Sequence, residues 1–183
     1  NKSFSNAIKE IGYEGDYRGV FPVKVNQQAQ VIDRIVEYGK EFDFGLEVGS
    51  KPELLIALAH DLSSNSTIIC NGIKDREFIN LALLSQKIGF KTILVLESPR
   101  ELDLIIEVSK ELNILPLLGI RIKLTNKVSG NWSQSSGDRS AFGLSVEQVM
   151  NVIEQLKVSG YLKCLILQHS HLGSQIPDII EIR

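Results

Sequence analysis

The chain has 183 residues, a formal net charge of −2 and 43% hydrophobic residues, which are the proportions of an ordinary soluble globular protein. A chain of this length can bury one substantial core and fits a single domain. Lys and Arg are spread along the sequence, so composition excludes an electrostatic reason to expect nucleic acid or a membrane surface as partner.

Neither a membrane span nor a leader is visible in the sequence. Apolar stretches such as Leu115–Ile120 are far shorter than the roughly 20 residues of a membrane helix. The first residue is not Met, and we expect the natural start of the protein to lie upstream. Cys70 and Cys164 sit in apolar runs without metal-ligand spacing, which predicts two buried thiols in a reducing, cytoplasmic setting.

Short β-branched runs alternate with longer helical stretches along the chain. Most of the runs are apolar throughout, which is typical of parallel strands covered on their outer face. We predict strands at Val20–Val25, Phe42–Glu47, Thr67–Cys70, Thr92–Glu97, Leu117–Leu124 and Leu162–His169.

Helix start signals stand between these runs. A capping Ser or Asp precedes each amphipathic stretch, often with an early Pro or Glu. The predicted helix starts are Ser50, Asp75 (opening Arg76–Ile88), Ser98 and Ser145, and Gly39 and Gly89 are predicted helix stops.

Sequential parallel strands joined by helices leave two architectures, a doubly wound sheet or a (β/α)8 barrel. No Gly-rich dinucleotide loop follows the first strand, and about six units run on without a break, which favours an α/β barrel of the TIM type. Such a barrel needs eight strands, so we expect the chain to hold an incomplete barrel, one partial domain over residues 1–183.

Polar residues occur where the predicted strands end, at successive spacings of 23, 24, 26, 24 and 50 residues. Chemistry in such barrels lies at the carboxyl-terminal ends of the strands. Together these six positions predict one polar rim, formed by Lys24, Glu47, Asn71, Glu97, Arg121 and His171.

Lys24 lies in the apolar segment Phe21–Asn26. A lysine desolvated at a barrel mouth can lose its proton and form an imine with an aldehyde. The alternative is a lysine whose stem is buried and whose ammonium reaches water.

Two histidines, His169 and His171, lie at the end of the last predicted strand. The imidazole of His171 could stack on an aromatic ring, and the Gly-Ser turn after it offers donors to a phosphate. For His169 the simpler interpretation is a core histidine with its hydrogen bonds satisfied. A metal pair lacks the Cys or carboxylate that would complete it nearby.

Arg121 would be a buried guanidinium, and it needs an acceptor such as a carboxylate, a phenolate or a phosphate. Glu47 or Glu97 could meet that need in a purely structural ion pair. Glu53 is interpreted as a first-turn carboxylate that complements the helix dipole rather than as a catalytic group.

Several segments resemble the biosynthetic arginine decarboxylases, a family in the alanine-racemase-like barrel class of pyridoxal-phosphate (PLP) enzymes that also holds ornithine and diaminopimelate decarboxylases. The lysine and histidine motifs are shared across the class, whereas the second-strand and Cys70–Asp75 segments point to the arginine family. The segments are Tyr13–Tyr17, Phe21–Gln28, Gly45–Leu54, Cys70–Asp75, Leu118–Arg121, Gly130–Trp132, Phe142–Ser145 and His171–Gln175.

The resemblance implies roles for individual residues. Lys24 matches the lysine that forms a Schiff base with PLP, and His171 the histidine that stacks on its ring. Ser174 matches a phosphate contact, and Glu47 and Arg121 match polar groups at the cofactor. Glu53 would support them from behind.

The resemblance also implies conversion of L-arginine to agmatine and CO2 in polyamine (spermidine) biosynthesis, by a full-length enzyme that is a homo-oligomer. Mg²⁺ is implied by the resemblance only.

The chain departs from the family in two ways. Ala141 stands where the family commonly has a lysine. The phosphate loop, the acidic partner of the pyridine nitrogen and a cysteine segment would lie beyond Arg183, so we expect this chain alone to be inactive or nearly so. Decarboxylation of ornithine or diaminopimelate, a non-catalytic PLP-binding homologue and a small α/β binding domain stay open as alternatives.

Overall fold

The computed structural model describes residues 1–124 and 142–172. Within these residues an initial helix is followed by six strands that alternate with five further helices. In chain order they are α1 (Lys2–Ile11), β1 (Val20–Pro22), α2 (Ala29–Gly39), β2 (Gly45–Val48), α3 (Lys51–Leu58), β3 (Thr67–Cys70), α4 (Arg76–Lys87), β4 (Lys91–Leu96), α5 (Arg100–Leu112), β5 (Leu117–Ile122), α6 (Val146–Ser159) and β6 (Leu165–Ser170).

The strands form one parallel sheet in which each strand pairs with its neighbours in sequence, in the order β1-β2-β3-β4-β5-β6. This order is that of successive barrel strands, and it confirms the predicted α/β class with its parallel run of strands. Consequently all six carboxyl ends lie at the same edge of the sheet.

A single apolar core lies between the sheet and the helices. Central strands β2 and β4 are buried almost throughout, as expected for strands with both faces covered. Strand β6 instead alternates half-buried and exposed residues, and among the described residues only β5 pairs with it. Across the described ranges, no helix has both the length and the apolar character needed to cross a membrane.

Helix starts follow the predicted chemistry at three of four positions. Ser50 and Asp75 accept hydrogen bonds from the amides of residues three positions later, and Ser145 with Gln148 forms a reciprocal capping box. Ser98 was wrong as a cap: Pro99 precedes α5 and no side chain caps that helix. The Glu101 carboxylate accepts the Ser98 amide instead.

Three strand boundaries differ from the prediction because tight turns replace strand ends. Val23–Val25, Lys40–Phe42 and Leu162–Cys164 form single 3-10 turns, so β1 ends early and β2 and β6 begin late. Gly39 is not a left-handed helix stop, since it has a right-handed φ of −80°. Gly89, with φ of +100°, does follow α4 as predicted.

Helix α1 was not predicted. Its residues include Phe4, Ile8 and Ile11 at helical spacing, and Gly12 ends it in a left-handed conformation, so the signal was present. None of its residues is buried, so it lies at the surface of the described chain.

Both cysteines are free and buried, as predicted. Burial raises the pKa of the Cys70 thiol to about 12, and burial also raises the pKa of Cys164. Because the thiolate is the reactive form, neither side chain is suited to nucleophilic chemistry.

Gly45 provides a test of the close packing of β2 on β3. A Cβ at this position would lie 2.2 Å from the carbonyl oxygen of Thr67, which is backbone and cannot move aside cheaply. We expect Gly45→Ala to lower the free energy of unfolding by about 1–3 kcal/mol, measured by urea denaturation.

The matched control is Gly49→Ala, whose Cβ would meet only Glu53 Oε2 at 3.7 Å, an ordinary contact. It should change stability by less than about 0.5 kcal/mol. Equal effects of the two substitutions would contradict the close approach.

Candidate active site

The polar rim is assembled by the parallel sheet. Glu47 lies in β2, Asn71 directly follows β3, Glu97 directly follows β4, and Arg121 lies near the end of β5. Arg121 pairs in register with His169 of β6. The structure therefore brings the predicted strand-end residues to one edge.

Lys24 lies on the 3-10 turn that follows β1 rather than on the strand itself. Its Nζ atom is 3.7 Å from Glu47 Oε1, and its side chain is 63% exposed against 10% for Glu47. The predicted desolvation of this lysine is therefore not seen in the described chain. The amine is accessible, and a buried carboxylate stands beside it.

Glu47 is only partly satisfied by the protein. Its Oε1 accepts a hydrogen bond from Asn71 Nδ2 at 2.9 Å. Its Oε2 is buried and has no hydrogen-bond partner within the described ranges, and the same is true of Asn71 Oδ1. Buried acceptors are normally paired, so these two oxygens indicate that a donor from elsewhere completes the site.

Arg121 forms the ion pair that the sequence left open, and its partner is Glu97. Nη1 lies 3.1 Å from both carboxylate oxygens, with the side chains 15% and 1% exposed respectively. The guanidinium also lies over the Phe142 ring, 5.5 Å from its centroid. Glu97 Oε1 accepts the Gly72 amide at 2.9 Å as well, so one carboxylate joins the ends of β3, β4 and β5.

Gly72 is required by this arrangement. Its φ is +75°, and a Cβ there would lie 2.8 Å from the carbonyl oxygen of Gly49. Only glycine fits both conditions without strain. The turn that directs its amide at Glu97 therefore depends on the Asn71-Gly72 sequence.

His169 and His171 lie within electrostatic range of the Arg121 guanidinium and the Lys24 amine. Burial lowers the pKa of His169 and of His171, and in each case the Arg121 guanidinium is the next largest cause. His169 Nδ1 is buried without a partner in the part of the chain that the structure describes, so the expectation of a satisfied core histidine is not met. Both rings are therefore held in the neutral form near neutral pH.

Glu53 occupies the first turn of α3, as predicted. Its Oε2 accepts the Gly49 amide at 2.7 Å, and its Oε1 accepts from Gln27 Nε2 at 3.1 Å. It is buried and fully engaged by the protein, and it ties the segment after Lys24 to the end of β2. Its contacts are those of a supporting group.

Two residues near the rim were missed from the sequence, Lys74 and Glu101, which form a buried ion pair. The spacing carried a signal: Glu101 stands four residues after Glu97 and accepts its amide, as Glu53 does for Gly49. Ser174, Ala141 and the segment Gly130–Trp132 lie outside the described residues. No group of three or more His, Cys, Asp or Glu that could hold a metal ion is found within residues 1–124 and 142–172.

The residues present fit PLP. An accessible amine can bond to its aldehyde carbon, and two buried acceptors and one imidazole nitrogen have no partner among the described residues and could bind its polar groups. The guanidinium of Arg121 adds fixed positive charge at the same edge. Uncharged imidazoles can lie flat against an aromatic ring without bringing a further cation.

The histidines give a testable pH dependence. We expect His169 and His171 to titrate below a histidine in an unstructured peptide, because burial and Arg121 both lower their pKa values. In Arg121→Leu both midpoints should rise, since the positive charge is lost. NMR titration of the imidazole nitrogens measures this.

Lys157→Gln, which removes an exposed cation on α6, serves as the control and should leave both midpoints unchanged. A midpoint at or above the peptide value for either ring would contradict the described environment.

Comparison with known proteins identifies the family. The family model described as the pyridoxal binding domain of pyridoxal-dependent decarboxylases matches residues 1–183. Biosynthetic arginine decarboxylase from Gloeobacter violaceus is 50% identical over 183 residues, which are 100% of this chain and 28% of that protein. Arginine decarboxylase 2 from Arabidopsis thaliana is 48% identical over 178 residues, 96% of this chain and 25% of that protein.

Solved structures agree. Biosynthetic arginine decarboxylase from Campylobacter jejuni superposes with a TM-score of 0.86 at 35% identity, covering 99% of this chain and 28% of that one. A diaminopimelate decarboxylase from M. jannaschii gives 0.77 at 26% identity, covering 99% and 40%. The chain thus spans about 28% of the length of the arginine decarboxylases it matches. It belongs to the pyridoxal-dependent decarboxylase family, within the pyridoxal-binding barrel domain.

Proposed function

We propose that the full-length enzyme to which this chain belongs decarboxylates L-arginine to agmatine and CO2, with PLP held covalently by Lys24, and that this chain alone is inactive or nearly so. The observation that carries the proposal is the Lys24 amine, which is accessible and 3.7 Å from a buried carboxylate oxygen of Glu47. The substrate comes from the arginine decarboxylases to which the chain is about 50% identical. Ornithine and diaminopimelate are the competing substrates.

Each rim residue has a task in this proposal. The Lys24 amine must lose a proton before it attacks an aldehyde, and Glu47 Oε1 is the carboxylate oxygen placed to accept it. His171 would lie against the cofactor ring, and Arg121 would contact a polar substituent of it. Ser174 is proposed as a phosphate contact on the basis of its motif. When bound, PLP supplies the electron sink for loss of CO2.

The neutral histidines suit this task. A protonated imidazole beside Arg121 would add a second cation next to an electron-poor ring, whereas the lowered pKa of His171 keeps it uncharged. The fixed Arg121–Glu97 pair meanwhile keeps the guanidinium in one orientation. The protein thus contributes orientation and charge, and the cofactor contributes reactivity.

Further parts of the proposal concern the surroundings of the enzyme. We propose that residues 1–183 form one partial barrel domain of a homo-oligomeric enzyme of polyamine synthesis. A reducing, cytoplasmic compartment is supported by the two free buried thiols. Mg²⁺ rests on the family resemblance alone, and no cluster within the described ranges contributes a site for it.

The test is Lys24→Ala. The purified full-length enzyme that contains this chain, incubated with PLP, should show the absorbance of lysine-bound cofactor, retain it through gel filtration and release CO2 from arginine. Lys24→Ala should lose the absorbance and at least about a thousandfold of the rate, because a nucleophilic lysine is removed.

The matched control is Lys91→Ala, at the amino end of β4 on the opposite edge of the sheet, where Nζ contacts only the exposed Asn65 amide among the described residues. It should retain both properties. Retained covalent PLP in Lys24→Ala would refute the assignment of Lys24. Covalent PLP with faster turnover of ornithine or diaminopimelate would refute arginine, and covalent PLP with no turnover would favour a non-catalytic homologue.

A further inference from the structure

Lys74 is an unusual residue, because its side chain is completely buried. Its Nζ lies 3.2 Å from Glu101 Oε1 and donates to the carbonyl oxygen of Gly72. Lysine is almost never fully buried unless it is paired, and removing an ammonium from water is costly. An ordinary apolar side chain could fill the same space at the turn between β3 and α4. The charge therefore calls for an explanation other than packing.

Glu101 is the partner and is 5% exposed. Its Oε1 also accepts the Lys74 amide at 2.9 Å, and its Oε2 accepts the Glu97 amide at 2.7 Å and the Ser98 amide at 3.3 Å. One carboxylate on α5 thus holds the backbone at the ends of two strands. Lys74 neutralises that carboxylate and fixes its orientation.

The Glu97 carboxylate links the same two turns a second time. The Glu97 backbone is held by Glu101, while the Glu97 side chain holds the Gly72 amide and Arg121 Nη1. Gly72 in turn accepts from Lys74 through its carbonyl oxygen. The β3–α4 and β4–α5 turns therefore hold each other in place. Through the Glu97 carboxylate, these contacts also fix the position of the Arg121 guanidinium.

We propose that Lys74 and Glu101 are positioning residues that set the Arg121 guanidinium for the cofactor through Glu97. The inference rests on the proposed PLP site. A buried pair can often be replaced by apolar residues without loss of stability, so its retention is better explained by the orientation that it imposes. In the contacts of the described residues neither side chain bonds to Arg121, and their effect passes through the Gly72 backbone and through Glu97.

The experiment is a double-mutant cycle on PLP affinity, measured by equilibrium dialysis on the purified full-length enzyme. Lys74→Met keeps the length of the side chain and removes its charge. We expect Lys74→Met to weaken PLP binding about tenfold and Arg121→Ala to weaken it at least as much. The double variant should bind no more weakly than Arg121→Ala, because Lys74 has nothing to act on once the guanidinium is gone.

A stability control separates positioning from folding. Thr92 lies near the amino end of β4, the strand that leads to Glu97, and forms a buried 2.6 Å hydrogen bond with Ser85 of α4. Thr92→Val removes this hydrogen bond. It should lower the urea midpoint and leave PLP affinity within about twofold. The position of the absorbance maximum of bound PLP, recorded at saturation, should shift in Lys74→Met and not in Thr92→Val.

The outcomes are distinct. Unchanged PLP affinity and absorbance in folded Lys74→Met would show a structural pair and overturn the inference. Additive losses in the double variant would overturn it too, because Lys74 would then act independently of Arg121. If Lys74→Met does not fold, Glu101→Gln takes its place in the cycle, with the same criteria. Wild-type protein without PLP binding would refute the proposed function itself.

Discussion

Four carboxylates, those of Glu47, Glu53, Glu97 and Glu101, are buried at the carboxyl-terminal edge of the sheet, and the rest of the site follows from how each is matched. A carboxylate can leave water only where donors or cations replace its hydration. Glu53 is matched by the Gly49 backbone amide and the Gln27 side chain, and Glu101 by three backbone amides and Lys74. Glu97 is matched by Arg121, and breaking such a buried pair costs about 3–5 kcal/mol. The hydrogen bonds and ion pairs of these carboxylates therefore fix the conformation of the turns around the rim.

The same local device occurs twice in the sheet. Gly49 and Glu97 each directly follow a strand, and a glutamate four residues later, in the first turn of the next helix, accepts a hydrogen bond from the backbone amide. A carboxylate at a helix start is also favoured by the helix dipole. This contact therefore anchors each turn to its helix through the backbone. After β4 it leaves the Glu97 side chain free to bind Arg121.

Sequence patterns carried most of the fold because the signals were local. Apolar β-branched runs and capping residues such as Ser145 depend on neighbours a few residues away, and they placed six strands and the starts of α3, α4 and α6. The 3-10 turn that carries Lys24 was not predictable, since apolar Val23–Val25 continues the strand pattern without interruption. Helix α1 was overlooked even though its periodicity was present, because no strand precedes it.

The site was predictable as a set of positions but not as a set of pairs. Strand-end spacing identified Glu47, Glu97 and Arg121, and parallel strands necessarily brought them to one edge. Which carboxylate would meet the guanidinium depended on side-chain direction between β4 and β5, and spacing does not encode that. The sequence did not predict that Lys74 is buried, because a lysine just before a helix cap is typical of an exposed turn. Only the tertiary structure shows that its side chain is buried.

The buried polar groups at the rim differ in whether their hydrogen bonds are satisfied within the described residues. Glu53 and Glu101 have hydrogen bonds on both oxygens, and Glu97 has bonds from Gly72 and Arg121, so these groups are complete within the protein. Glu47 Oε2, Asn71 Oδ1 and His169 Nδ1 are instead buried without partners in the described ranges. Each such atom costs about 1–3 kcal/mol.

A stable scaffold does not keep three such atoms together on one edge unless something outside it repays the cost. A bound group, or another part of the protein that faces the rim, is what would do so. The three atoms lie beside Lys24 and around Arg121, which places the incomplete part of the rim where the covalent attachment is proposed. The complete carboxylates lie behind it, on the turns that hold the guanidinium. The division between satisfied and unsatisfied groups therefore separates an inner supporting layer from an outer layer whose polar atoms lack partners in the described ranges.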